Sequence, residues 1–350
     1  MPLLEFEKVS KEFGRVADRQ RRRRQAAGKG VKALAGVDLS VDEGEAVALV
    51  GESGAGKTTL AMLAAGLEQP STGRVNIDGS SRDKSGSGVR RRERLERARR
   101  LQLVWQDVRG SLDPRMKIAA AVAEPLRIHG LAAGADLDKK VEGLLDEVGL
   151  DASLGSRRPH ELSGGEVQRA VIARALALDP AVLVCDEPAA SLDAGAKVRI
   201  ARLLTRLRHE RSLALLVISH DLPLVRFLTE KIFVIYRGRI VESGPTAAVF
   251  DNPLHPYTRL LVSCDPSAPG WAQMIEGGDA TQPSGGAQSD GGCGYAARCS
   301  CSMKACLADL PRLSRRGSDR QVACHNPAAA GSAADVLEDP VERLAGFLEG

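Results

Sequence analysis

The segment Gly51-Glu52-Ser53-Gly54-Ala55-Gly56-Lys57-Thr58 constrains the fold of this chain more than any other. It fills every fixed position of the pattern G-x-x-x-x-G-K-[ST]. The run from Glu45 to Val50 before it is apolar enough for a buried strand, and Lys57 to about Gly66 has helical spacing. A strand that turns through glycines into a helix aims backbone N–H groups inward, where phosphate oxygens can accept from them. The helix N-terminus adds the positive end of its dipole. Lys57 can reach β- and γ-phosphates, and the Thr58 hydroxyl can ligate Mg²⁺. The expected cradle is Gly51, Glu52, Ser53, Gly54, Ala55, Gly56, Lys57, Thr58 and Thr59.

A second strand ends in acid. Val182-Leu183-Val184-Cys185 is followed directly by Asp186-Glu187. In a parallel sheet this places two carboxylates at the C-terminal edge, where ligands bind. Asp186 is expected to hold Mg²⁺ and Glu187 to polarise the attacking water as general base. Further strands are expected at residues 3–9, 37–41, 101–105 and 213–219, with a hairpin of 232–236 and 239–242 around Arg237-Gly238. Residues 111–174 are mostly helical in period, with breaks near Gly130, Gly149 and Pro159. Strands alternating with helices imply an α/β core with a mainly parallel sheet.

A chain of 350 residues is enough for one large domain plus an appendage, or for two small domains. No apolar run approaches the ~18–20 residues that span a bilayer, and the N-terminus lacks a signal-peptide layout. Work at a membrane would therefore go through docking onto another protein. The net charge of +4 is too small to imply nucleic acid. The Arg-rich stretch 82–100 interleaves Glu93 and Glu96 and has no aromatic before Trp105, which reads as a solvated helix face. The run Arg19 and Arg21 to Arg24 reads as a basic loop. Of seven cysteines, five lie between Cys293 and Cys324. An odd, clustered set in a chain read as cytosolic points to a metal or cluster site rather than to disulfides. Residues 266–292, rich in Pro, Gly, Ser and Ala, read as a linker.

With these residues in place, the sequence resembles the ABC ATPases. Leu162-Ser163-Gly164-Gly165-Glu166 looks like their LSGGQ signature, and Ser163 lies 23 residues before Asp186. The resemblance implies that Ser163, Gly164 and Gly165 contact ATP held by a partner subunit's phosphate loop. Gln106 resembles the Q-loop glutamine that senses Mg²⁺ and the attacking water. Asp193, in Ser191-Leu192-Asp193, resembles the D-loop residue at the dimer interface. His220 resembles the switch histidine at the γ-phosphate, and Phe13 the aromatic that stacks on adenine. The implied fold is an ABC-type core over residues 1–250, with a mainly parallel sheet, an antiparallel β subdomain and a helical lobe inserted at about 107–174. Two departures stand out: Glu166 replaces the signature Gln, and Val108 stands where many relatives have Pro. A carboxylate beside phosphates implies a weakened composite site and a heteromeric partner.

Asn252-Pro253-Leu254-His255-Pro256-Tyr257-Thr258-Arg259-Leu260-Leu261 is similar to the segment that follows the core in oligopeptide/dipeptide and nickel importer ATPases. The resemblance implies a small Cys-rich C-terminal extension over 251–325, then a tail over 326–350. It also implies two transmembrane permease subunits, a second ATPase subunit (the same or homologous) and an extracytoplasmic solute-binding protein. The chain would sit on the cytoplasmic face of the membrane and power peptide uptake. Nickel, glutathione or another solute is the alternative cargo, and a soluble ABC ATPase acting on ribosome or DNA the alternative class. Cys293, Cys299, Cys306 and Cys324 are separated by five, six and seventeen residues, a spacing that leaves zinc and iron–sulfur both open. The family resemblance implies a [4Fe–4S] cluster, with Cys301 left over and His325 a neighbour.

Overall fold

The computed structural model describes residues 2–14, 30–81, 91–264, 291–317 and 319–327. The expected basic loop at Arg19 to Arg24, and most of the expected linker and tail, lie outside these residues. The chain divides into two compact units, Met1–Ile240 and Val241–Gly350.

The first unit is built on a parallel sheet of β3 (Ala46–Val50), β6 (Leu101–Val104), β7 (Val182–Asp186), β8 (Ala214–Ile218) and β9 (Lys231–Tyr236), in the order β9-β3-β8-β7-β6. Strands β3, β7 and β8 are buried at all five positions, as strands covered on both faces must be. Their side chains divide by alternation. Leu183, Cys185, Leu215 and Val217 point into one core with helices α3 (Ile118–Ile128), α4 (Gly134–Glu147), α5 (Gly164–Leu176) and α6 (Ala194–Arg211). Val182, Val184, Leu216 and Ile218 point into the other, with α1 (Lys57–Ala64) and an antiparallel sheet. The expected helix breaks at Gly130, Gly149 and Pro159 all fall between these helical segments.

The antiparallel sheet has the order β2-β1-β4-β5, from β1 (Leu4–Phe13), β2 (Val31–Val41), β4 (Thr72–Ile77) and β5 (Ser80–Ser81). In β1 the buried apolar residues are Leu4, Phe6 and Val9, a pattern that skips a step after Phe6. The reason is a bulge: Lys8 takes φ 46, and the register with β2 shifts between Phe6 and Val9. Both strands are longer than their apolar cores. Lys11↔Leu34, Glu12↔Lys32 and Phe13↔Val31 continue the pairing through a mix of polar and apolar residues with no regular apolar alternation. Lys11 is nearly buried but satisfied, its ammonium 2.5 Å from Glu68 and 2.9 Å from the Gln69 carbonyl. The described part of the Arg-rich stretch forms α2 (Arg91–Arg100), in which Arg100 pairs with Asp78 at 2.7 Å. After β9 the chain turns through Arg237 (φ 46) and Gly238 (φ 78), the two left-handed positions of a type I′ turn.

In the second unit, β10 (Arg239–Pro245, which begins in the last residues of the first unit) pairs with β12 (Arg320–Val322), and β12 with β11 (Ser314–Arg316). Helices α8 (Thr246–Asp251), α9 (Pro256–Ser263) and α10 (Lys304–Ala308) complete it. Glu242 is fully buried, which a carboxylate tolerates only when its oxygens are supplied with donors. It accepts from the backbone N–H of Leu254 and His255, both at 2.9 Å, and from the Arg320 guanidinium at 2.5 Å. Among the described residues no helix is long and apolar enough to cross a membrane.

Candidate functional site

Parallel strands all present their C-terminal ends at one edge, and here each adjacent end delivers a reactive group. Strand β3 runs into the glycine-rich loop. Gly56 precedes α1 at φ 106, and a Cβ there would lie 2.5 Å from the Ala33 carbonyl oxygen, so only glycine fits. Helix α1 has no side-chain cap and no acidic residue in its first turn. Its first N–H groups are therefore left for an anion. Helix α5 is capped instead by Ser163, α6 by Asp193 and α7 (Leu222–Leu228) by Asp221. Lys57 folds over the loop, donating to the carbonyls of Gly51 at 2.6 Å and Glu52 at 3.0 Å. Burial lowers its pKa, opposed by the charges of Glu187, Asp186 and Glu52.

Asp186 ends β7. Burial pushes its carboxyl above the usual range; a hydrogen bond from the Thr58 hydroxyl opposes this, adjacent Glu187 adds to it, and Lys57 opposes it again. A buried carboxylate with a hydroxyl beside it is a fitting pair of oxygen ligands for Mg²⁺. A cation there would offset the burial, and the lesser repulsion from Glu187, that raise Asp186.

Glu187 is buried and sits at φ 52, a left-handed position that costs a non-glycine residue about 1–3 kcal/mol and persists only when its surroundings enforce it. Those surroundings come from the end of β8. Glu187 N–H donates to the Ile218 carbonyl at 2.8 Å. Glu187 Oε2 accepts from the Ser219 hydroxyl at 3.1 Å and faces His220 N–H at 3.4 Å. Oε1 lies 2.6 Å from His220 Nδ1. A carboxylate can only accept, so the imidazole proton is placed on Nδ1. The ring itself is largely exposed.

Gln106 is exposed two residues beyond Val104, whose partner in the next strand is Cys185. It thus leaves the sheet beside Asp186 and Glu187. Cys185 itself is inert: complete burial pushes its thiol up to about 12. Phe13 ends β1 with its ring partly exposed, 4.8 Å below the Lys11 ammonium.

The start of α5 lies against the residues around Asp193. A Cβ on Gly164 would be 3.4 Å from Leu192, and one on Gly165 would be 3.5 Å from Ala196. Asp193 caps α6 through the Ala196 N–H at 2.8 Å. Two groups went unread in the sequence. Ser219 is 1% exposed, donates to Glu187 and accepts from Asp221 N–H at 3.1 Å. Lys197 pairs with Asp221 at 2.6 Å and steadies the same turn. The available signal was a hydroxyl residue wedged between a buried strand and His220.

In the second unit, Cys293, Cys299, Cys301, Cys306 and Cys324 line one small cavity, with His255 and His325. Burial is the main cause of the raised thiols of Cys293, Cys299 and Cys324, and neighbouring cysteines add to it. All seven cysteines are free. The donor set suits a thiolate-bound metal or cluster. Its arrangement does not follow: among the described residues no group of three or more His, Cys, Asp or Glu side chains could hold a metal ion.

Comparison with known proteins agrees with this geometry. The family model described as ABC transporter matches residues 34–190, and that of the oligopeptide/dipeptide transporter C-terminal region matches 241–306. A Brucella abortus (strain 2308) protein named for peptide import and ATP binding is 39% identical over 296 residues, 84% of this chain and 86% of that protein. A di/tripeptide transport ATP-binding protein of Pseudomonas aeruginosa is 36% identical, covering 85% of this chain and 90% of its own. Among solved structures, a dimeric ATP-binding cassette in a post-hydrolysis state with ADP and Pi superposes with a TM-score of 0.60 at 27% identity, over 69% of this chain and 98% of that one. A component of an ABC transporter complex from Clostridium perfringens gives 0.61 at 25% identity, over 79% and 99%.

Proposed function

The chain belongs to the ABC transporter ATPases, as the ATP-hydrolysing subunit of an oligopeptide importer, and from that premise we propose how its residues divide the work. The loop Gly51 to Thr59 holds the phosphates, with Lys57 on the β- and γ-phosphates. Thr58 and Asp186 would hold Mg²⁺, aided by Gln106, and the ion would supply charge neutralisation there. Glu187 orients the attacking water and takes its proton. His220, held through Nδ1, faces the γ-phosphate with its exposed edge, and Phe13 stacks on adenine. Ser163, Gly164, Gly165 and Asp193 meet nucleotide carried by a second ATPase subunit, the same or homologous.

The observation that carries this reading is the convergence of Lys57, Asp186, Glu187, Ser219 and His220 at adjacent strand ends beside a helix start with no side-chain cap. Peptide is favoured as cargo because relatives covering most of both chains are named for peptide transport. An importer ATPase works with membrane permease subunits. We take these as two, with an extracytoplasmic solute-binding protein, and place this chain on the cytoplasmic face. In the assembled importer, peptide-loaded binding protein should stimulate ATP hydrolysis. Lys57→Ala should weaken nucleotide binding by removing a phosphate contact; unchanged ATP affinity in that variant would remove the loop from the site.

The cysteine cavity carries a separate reading. On this reading Cys293, Cys299, Cys306 and Cys324 would draw together, from an arrangement that forms no metal-ligating group here, to hold a [4Fe–4S] cluster that staples a segment with little core of its own, and Cys301 is left over. Its support is the gathering of these thiols around one cavity. Anaerobic purification should yield about four irons and four sulfides per chain. Stoichiometric zinc without sulfide would reassign the ion, and absence of both would remove the ligand set.

A further inference from the structure

The start of α5 differs from that of α1 in one respect that bears on nucleotide. Where α1 has no side-chain cap, α5 already carries an anion of its own. Glu166 Oε2 accepts from the Ser163 backbone N–H at 2.8 Å and from the Ser163 hydroxyl at 2.8 Å. Glu166 N–H in turn faces Ser163 Oγ at 3.4 Å. This is a reciprocal capping box, with one addition. The hydroxyl proton of Ser163 is directed at the carboxylate, so it cannot be offered to a phosphate at the same time. The carboxylate also sits where the helix dipole favours negative charge. These hydrogen bonds hold its pKa below the usual range, so it stays ionised at neutral pH.

We propose that Glu166 competes with the nucleotide phosphate for the start of α5, and so sets the ATP concentration at which two ATPase subunits close. The inference rests on the reading that this helix start faces nucleotide held by the second subunit. For closure the carboxylate must give up the Ser163 hydroxyl. Arg169, one turn along the same helix, already acts on Glu166 through its charge, so a released carboxylate stays beside a cation. Glutamine at 166 would keep an acceptor for the Ser163 backbone N–H and remove the charge. It would also free the hydroxyl from an ionic acceptor. The two side chains are nearly the same size, so the exchange isolates charge from packing.

The test is the ATP dependence of hydrolysis by the assembled importer carrying wild type, Glu166→Gln or Ser163→Ala. Glu166→Gln should lower the half-saturating ATP concentration roughly 5-fold, the scale of one like-charge contact about 4 Å apart in water, while the melting temperature falls only by the small loss of one charged helix cap. Added salt should lower the wild-type value toward that of the variant, because screening weakens the same repulsion. A helix cap alone would produce neither change. If Ser163→Ala raises half-saturation while Glu166→Gln leaves it unchanged or higher, Glu166 is only a cap and the proposal is overturned. If neither substitution moves the ATP dependence, the reading that α5 faces nucleotide falls, and the proposal falls with it.

Discussion

Asp186 and Glu187 leave a five-residue strand that is buried throughout, whereas Cys293, Cys299, Cys301, Cys306 and Cys324 come from turns, a short helix and the end of a three-residue strand. Both regions draw ionisable groups out of water, and both raise pKa values by burial. They differ in what answers the burial. The two acids repel each other, but donors and cations surround the pair: Thr58, Lys57, Ser219 and the His220 ring. Around the thiols the titratable neighbours are largely other thiols, each disfavouring the next one's ionisation. A site answered by its own side chains is organised before any ligand arrives. A pocket of mutually repelling thiols becomes ordered chemistry only if something displaces the protons.

The sharpest way to break that contrast is Glu187→Gln. Hydrolysis should fall about 10³-fold while ATP binding persists, measured by single-turnover rates and equilibrium binding. A rate near wild type would mean that the enforced geometry of Glu187 serves packing and not chemistry.

The second test probes the other region through His255. This ring is 1% exposed, its Nδ1 accepts from Tyr257 N–H at 3.0 Å, and burial lowers its pKa from 6.5 to about 4. Its backbone N–H donates to Glu242, a carboxylate already paired with Arg320. Because the folded pKa is depressed, the unfolded chain binds the proton more readily between pH 6.5 and 4. The stabilisation is whole above about pH 6.5 and is lost as pH falls toward 4, by about 3 kcal/mol. Denaturant titrations across that range should show the loss in the wild type and a flatter profile in His255→Gln. Equal slopes would mean that water reaches the ring.

The smallest effect belongs to Ser219→Ala. Removing one donor to Glu187 should lower kcat about 10-fold with KM for ATP unchanged, and Ser219→Thr should restore much of it. A change confined to KM would place Ser219 on the nucleotide rather than on the general base.

The sequence was most legible where function is continuous along the chain. Gly51 to Thr58 and Val182 to Glu187 each contain strand, turn and reactive group in one stretch, so pattern and chemistry reinforce each other. Ser219 was missed because a serine between a strand and a histidine is a weak signal until β7 and β8 are paired and Glu187 is seen to need a donor. Strand β4, Thr-Gly-Arg-Val-Asn-Ile, has only Val75 and Ile77 as apolar marks, and its existence depends on pairing with β1. Glu166 shows the reverse. Ser163-x-x-Glu166 is a local capping pattern readable from four residues, yet its weight comes from the helix start it fills. The cysteines mark a shared place in sequence, but the loop geometry that gathers them does not follow from spacing.

The parallel sheet has a practical corollary at its other edge. Every reacting group leaves β3, β6, β7 and β8 at the same end, so the turns entering these strands carry none of them. Asp42 and Glu43 before β3, Asp179 before β7 and Ser212 before β8 are all exposed. These turns are suitable insertion points for a small fluorescent tag or a tether to a surface. An importer labelled there could be followed through its cycle with the label a full strand length away from the nucleotide.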